Sequence, residues 1–161
     1  MTTTRWREAR RRSADTTRCV RNTTAAGPTA TAARADEWLP ITPGTDAALL
    51  LAVAHTLFAE DLVDLGALAP HIDGLDRMRA VAAAWSPERV AAVTHIDAAR
   101  IRDLARELAA ARRAVVYGRI GTCNQEFGSL ASWLVDVVNI LSGHFDVEGG
   151  AMFPRAAAWS V

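Results

Sequence analysis

The stretch "ITPGTDAALLLAVAHTLF", residues 41–58, does most to limit what this chain can fold into. Past its proline, glycine, hydroxyl and carboxylate it runs apolar to Phe58 with only His55 and Thr56 interrupting. An apolar stripe would place a helix on a surface, whereas a helix apolar almost all round has to be covered on every side. Thr42 followed by Pro43 predicts a hydroxyl cap with proline at the first helical position, so the helix is expected to run from Thr42 to Phe58. A helix of that kind needs a surrounding shell. The chain of 161 residues, 50% hydrophobic, is long enough for one domain with a core, and that helix is expected to lie inside a larger body.

The shell is legible in outline. "DEWLPI" reads as a short extended segment interrupted by Pro40, and "SPERVAAVTHI" as a second Ser-Pro helix start. "DAARIRDLARELAAARR" sets Ile101, Leu104, Ala105 and Leu108 on one helical face with Arg and Glu opposite. Residues 59–85 break into short helical pieces around Gly66, Pro70 and Gly74. Then "AVVYGRIG" gives a β-branched run ending at glycines. It is followed by a helix whose apolar residues Leu130, Trp133, Leu134, Val137, Val138 and Leu141 recur at helical spacing. Helix, apolar strand, glycine turn, helix is the order of an α/β domain with a parallel sheet, so a partial, helix-rich, Rossmann-like doubly wound domain is expected. Ligands in such sheets collect at the carboxyl ends of strands, which directs attention to residues 118–125.

Eighteen Arg and no Lys balance eighteen Asp plus Glu, so the net charge of +0 gives no reason to expect nucleic acid or an anionic membrane as partner. Seven of the Arg fall within residues 1–21 against Glu8 and Asp15 only. Residues 1–33, rich in Arg, Thr and Ala, carry too little apolar area to offset the entropy of ordering and are expected to be a disordered leader, with a transit segment or basic arm as the alternative. Residues 156–161 are expected to be a tail. Cys19 and Cys123 lie far apart, outside any spacing that holds zinc or an iron-sulfur cluster, and Cys123 reads as a buried, inert thiol. The four histidines show no ligand spacing, so no metal site is expected. With no apolar stretch long enough to span a membrane, the expected setting is the cytoplasm.

Two loops carry chemistry. At residues 43–46 a helix start would present unpaired N–H groups to an anionic or polar ligand, and Gly44 would let it approach the backbone. Asp46 has two readings: a carboxylate stabilising the helix start through its dipole, or a base reader. Guanine offers two adjacent donors, its ring N–H and exocyclic amine, which one carboxylate accepts together, and adenine has no such pair. At "YGRIGTCNQEFG" the glycine spacing is not the dinucleotide fingerprint, and Thr122 with Gln125 three residues later resembles a capping box.

In this order and with their flanks, "TAARADEWLPITPGTDAALLLAVAHTLF", "WSPERVAAVTHIDAARIRDLARELAAARRAVVYGRIG" and "NILSGHFDVEGGAMFPR" resemble the molybdopterin oxidoreductase family, which includes formate dehydrogenases and nitrate reductases. The resemblance covers residues 29 to 155. It implies that Gly44, Thr45 and Asp46 contact the guanosine end of a molybdopterin guanine dinucleotide, which favours the base-reading role for Asp46. It implies further that Ile120, Gly121 and Asn124 approach the pterin part, with Asn124 standing where the family has a glutamine. His144 stands where the family has an asparagine, and Gly149 and Gly150 match a glycine pair.

The family's iron-sulfur domain, its molybdenum ligand and its further cofactor-binding domains have no counterpart in the chain. Residues 34–155 are therefore expected to be a partial cofactor-binding α/β domain, an internal fragment without catalytic or metal-binding residues. Alone it is expected to be inactive, with the rest of an oxidoreductase as its partner and self-association through uncovered apolar surface. The alternatives are an independent nucleotide-binding module and a non-functional remnant.

Overall fold

The computed structural model describes residues 20–23 and 35–153. The remainder of the expected leader, Cys19 and the expected tail lie outside the described residues. In chain order the elements are strands β1 (Val20–Thr23) and β2 (Glu37–Pro40), helix α1 (Asp46–Ala59), a 3-10 helix (Gly66–His71), and helices α2 (Leu75–Ala83), α3 (Pro87–Thr94), α4 (Ala98–Ala110), α5 (Ile120–Cys123) and α6 (Gly128–Leu141).

Helix α1 is the hub, packing against α2, α3, α4 and α6. Its Leu49, Leu51, Ala52, Val53, Ala54, Leu57 and Phe58 are all buried, as a helix without a polar face requires. The cover comes from within the chain, through Met78 and Ala82 of α2, Val90 of α3, Ile101 and Ala105 of α4, and Ala131, Leu134, Val138 and Leu141 of α6. The expectation that α1 needs a larger body to cover it is thereby corrected. The most exposed large apolar side chains lie elsewhere and include Tyr117, Ile120, Trp133, Met152 and Phe153, with Phe127 also exposed. Leu130 and Trp133, placed on the apolar face of α6 by their spacing, are exposed. Only the part of that face turned toward α1 is covered.

Helix α1 begins one turn later than Thr42-Pro43 suggests. Thr45 N donates to Thr42 O at 3.2 Å, and Gly44 has φ +85°. Proline second and a positive-φ glycine third make a reverse turn, and a residue in that conformation cannot continue a helix. Ser86 behaves as its sequence suggests: with Pro87 first in α3, its hydroxyl accepts from Arg89 N.

Strand β2 pairs in parallel with β1, Val20 opposite Glu37 and Thr23 opposite Pro40. Four residues of the expected disordered leader are thus strand, and the proline, which has no N–H to give, ends the ladder. Glu37 is held from α4 by the forked guanidinium of Arg100, which also bonds Glu107 at 3.1 Å; the bond to Glu37, then that to Glu107, holds the Arg100 guanidinium's pKa above its ordinary value.

The expected strand at Ala114–Tyr117 joins no ladder, and the described residues form no sheet beyond β1 and β2. Burial does alternate there, Val115 and Tyr117 exposed and Val116 half-buried. Val116 is paired by a side chain instead. Its N–H donates to Asn139 Oδ1 at 2.8 Å, and its carbonyl accepts from Asn139 Nδ2 at 2.8 Å. A primary amide offers one donor and one acceptor side by side, as a neighbouring strand does, so Asn139 of α6 satisfies this residue without a second strand.

Candidate cofactor site

The Pro-Gly turn delivers Asp46 to the first position of α1, where four N–H groups lack helical partners. Asp46 is nevertheless buried, at 6% exposure, so its carboxylate is no ordinary solvated helix-start charge. The turn is held in place from both sides. Thr45 Oγ1 donates to Thr42 O at 2.7 Å, Thr42 N donates to Thr94 O at 3.2 Å, and Thr42 Oγ1 lies 2.6 Å from His95 Nδ1. Thr45 therefore spends its hydroxyl inside the turn and makes no cap bond to α1.

The second loop comes back to the first. Short helix α5 is followed by a turn closed by Gly128 N on Gln125 O at 3.0 Å, and that turn directs Gln125 toward α1. Gln125 Nε2 donates to Asp46 Oδ2 at 3.1 Å and to Thr122 O at 2.9 Å. This is not the reciprocal capping box suggested by Thr122 and Gln125: the glutamine reaches the carbonyl of Thr122, and the Thr122 hydroxyl donates to Arg119 O at 2.6 Å. Gln125 Oε1 is sealed from solvent and has no hydrogen-bond partner. A Cβ on Gly44 would stand 3.8 Å from that oxygen.

Gly44, Thr45 and Asp46 thus lie in one continuous turn that leads into α1. Of the other loop, Ile120, Gly121 and Asn124 are all exposed, and none of them hydrogen-bonds to Asp46. The residue that does is Gln125. A glutamine three positions after a threonine is a weak signal, shared with every capping box.

Other candidates resolve simply. Cys123, expected to be buried, is exposed, its sulfur 3.5 Å from Ser132 Oγ. His144 is buried, with Nδ1 3.1 Å from Ser142 Oγ and Nε2 2.9 Å from Ala111 O, which makes it a tie between the end of α6 and the end of α4. His55 on α1 lies 3.0 Å from Ala82 O of α2. Among the described residues no three His, Cys, Asp or Glu side chains gather as a metal site would require, and no helix is long and apolar enough to cross a membrane. A separate pocket of about 390 Å³ lies between residues 115–118 and α6, lined among others by Tyr117, Gly118, Ser132, Asp136 and Asn139.

A buried carboxylate at a helix start, a glycine turn beside it and an orphaned buried acceptor together form a set of acceptors that a ligand offering several N–H donors would satisfy.

Known proteins are similar to the chain over most of its length. Dimethyl sulfoxide reductase DmsA of Haemophilus influenzae is 33% identical over 149 residues, 81% of this chain and 18% of the relative. The menaquinone reductase, molybdopterin-binding-like subunit of Nitratidesulfovibrio vulgaris is 38% identical over 121 residues, 74% of this chain and 16% of the relative. The solved structure of acetylene hydratase from Pelobacter acetylenicus superposes with a TM-score of 0.74 at 25% identity, covering 84% of this chain and 18% of that one. The chain therefore spans less than a fifth of the length of each. A family model described as molybdopterin oxidoreductase matches residues 3–157, which takes in most of the segment expected to be a disordered leader. The chain belongs to the molybdopterin oxidoreductase family.

Proposed function

We propose that this chain is a cofactor-holding segment of a molybdopterin-guanine-dinucleotide-dependent oxidoreductase, in which Gly44, Thr45 and Asp46 receive the guanosine end and the 118–125 loop, through Ile120, Gly121 and Asn124, approaches the pterin. The observation that carries the reading is the hydrogen bond from Gln125 to Asp46, which joins the two loops into one site. When bound, the cofactor would bring the metal and its redox chemistry. The part of this chain is to hold the base, exclude water from Asp46 and keep its carboxylate oriented.

On this reading the rest of the oxidoreductase is the partner, and the chain by itself turns over no substrate. The apolar side chains exposed between Val115 and Phe153 are the surface where that partner would rest. The alternation of burial through residues 114–118 supports a further step: this segment becomes a strand of a doubly wound parallel sheet once neighbouring strands are present.

Competition binding with GDP and ADP tests the reading on the full chain. Charge-assisted hydrogen bonds are worth roughly 1.5 to 3 kcal/mol each, so GDP is expected to bind at least tenfold more tightly than ADP. Asp46→Asn, which turns a donor toward a donor, is expected to erase that preference. Equal affinity for the two nucleotides in the parent chain would leave Asp46 as a helix-start carboxylate only.

A further inference from the structure

We propose that Gln125 is a second base-reading residue, whose Oε1 accepts the hydrogen of guanine's exocyclic amine that Asp46 leaves unused. The inference rests on the guanine reading and adds a residue to it.

The orientation of the Gln125 amide is fixed by chemistry. Its nitrogen faces Asp46 Oδ2 at 3.1 Å and Thr122 O at 2.9 Å, and both are acceptors. A flipped amide would set oxygen against both. The two amide hydrogens are thus committed, and Oε1 is left turned away from them, buried and without a donor. A folded chain seldom leaves such an acceptor unmet unless something outside the chain meets it.

The neighbour that oxygen faces is Gly44 of the Pro-Gly turn. Gly44 carries no Cβ, and one placed there would be in ordinary contact with Oε1 at 3.8 Å, so glycine keeps side-chain atoms away from that oxygen. The positive φ of Gly44 holds the turn in that shape. Guanine's amine has two hydrogens. One pairs, with the ring N–H, on the carboxylate of Asp46. The second points away from that pair and requires an acceptor bound to the same carboxylate from the side, which describes Gln125. Hypoxanthine keeps the ring N–H and lacks the amine, and adenine lacks the donor pair altogether.

The test compares GDP, IDP, ADP and N2-methyl-GDP by competition binding to the full chain and to Gln125→Met, which matches glutamine in length and carries no amide. In the parent, GDP is expected to bind more tightly than IDP and roughly fivefold more tightly than N2-methyl-GDP, the value of one neutral hydrogen bond. In Gln125→Met the ratio of GDP to IDP affinity is expected to fall roughly fivefold. If the parent prefers GDP to ADP but Gln125→Met leaves the GDP to IDP ratio unchanged, the assignment of Gln125 is overturned and the guanine reading stands. If the variant does not fold, the parent decides: N2-methyl-GDP binding as tightly as GDP overturns the assignment. A parent that does not bind GDP, or does not distinguish it from ADP, overturns both.

Discussion

Gln125 Nε2 lies 3.1 Å from Asp46 Oδ2, joining two loops that are 79 residues apart in sequence. The bond closes the site from the far side of the chain and gives a buried carboxylate a donor that carries no charge. Its energetics follow from that. A neutral amide compensates only part of what Asp46 loses by leaving water, and a ligand with further donors would compensate more.

Asp46→Ala is therefore expected to cost about 1 to 2 kcal/mol, combining the lost interaction with the helix dipole and the lost hydrogen bond from Gln125. Asp46→Asn keeps an oxygen for Gln125 and is expected to cost less. Urea denaturation of the three proteins checks the order.

Asn139 serves Val116 as a strand would. Asn139→Leu strips both backbone groups of Val116 of their partners and also removes the bond from Nδ2 to Val135 O at 2.9 Å. Each unmet buried group costs about 1 to 3 kcal/mol, so a loss of roughly 3 kcal/mol is expected. Asn139→Asp is the sharper probe, since an ionised carboxylate would face the carbonyl of Val116. Protonating it restores a donor, so the destabilisation measured at pH 7 is expected to shrink as the pH is lowered.

Much of this architecture is legible in the sequence, and the exceptions have common causes. Helices α3, α4 and α6 follow from capping and periodicity because those signals are local, and the covered state of α1 follows from its lack of a polar face. The turn at Thr42–Thr45 is misplaced by sequence reasoning because Thr-Pro opens both helices and turns; the positive φ of Gly44 decides between them. Strand pairing is non-local, so the β-branched run at 114–117 cannot reveal that its partner is the side chain of Asn139, hidden in an ordinary helical pattern. Gln125 follows a four-residue helix, where no periodicity says which of two adjacent amides points inward.

Gly128 is fixed by space. A Cβ there would sit 1.9 Å from Cys123 O, a backbone atom that can move only by shifting α5. Gly128→Ala is expected to destabilise the chain by about 3 kcal/mol and to displace Gln125, which precedes it in the same turn. Nucleotide affinity and the urea midpoint are expected to fall together.

Acid sensitivity has a traceable contribution. The hydrogen bonds from Arg106 to Glu60 and from Arg102 to Glu88 lower both carboxyl groups from their ordinary value of 4.5. A carboxyl with a lowered folded-state pKa contributes stability that is complete above its unfolded value and lost as the pH falls through the folded one. Stability is thus expected to decline below about pH 4.5. The double variant Glu60→Gln, Glu88→Gln is expected to show a shallower decline, with a small effect at pH 7 because both pairs are solvent-exposed. Urea midpoints measured from pH 3 to pH 7 test the slope.

The exposed apolar residues set the solution behaviour of the isolated chain. Tyr117 is 73% exposed, Ile120 72% and Phe153 66%, and together with Phe127, Trp133 and Met152 they concentrate on the last third of the described residues. Apolar side chains this exposed are available for contact with another chain. Since α1 is already covered, any self-association should run through these residues. Sedimentation velocity is expected to show association that grows with concentration. Trp133→Glu with Ile120→Glu, both at exposed positions, is expected to reduce it without lowering the unfolding free energy from urea titration by more than about 0.5 kcal/mol per site. A parent chain that stays monomeric at every concentration, or a double variant that associates as strongly as the parent, would show that this surface does not drive contact.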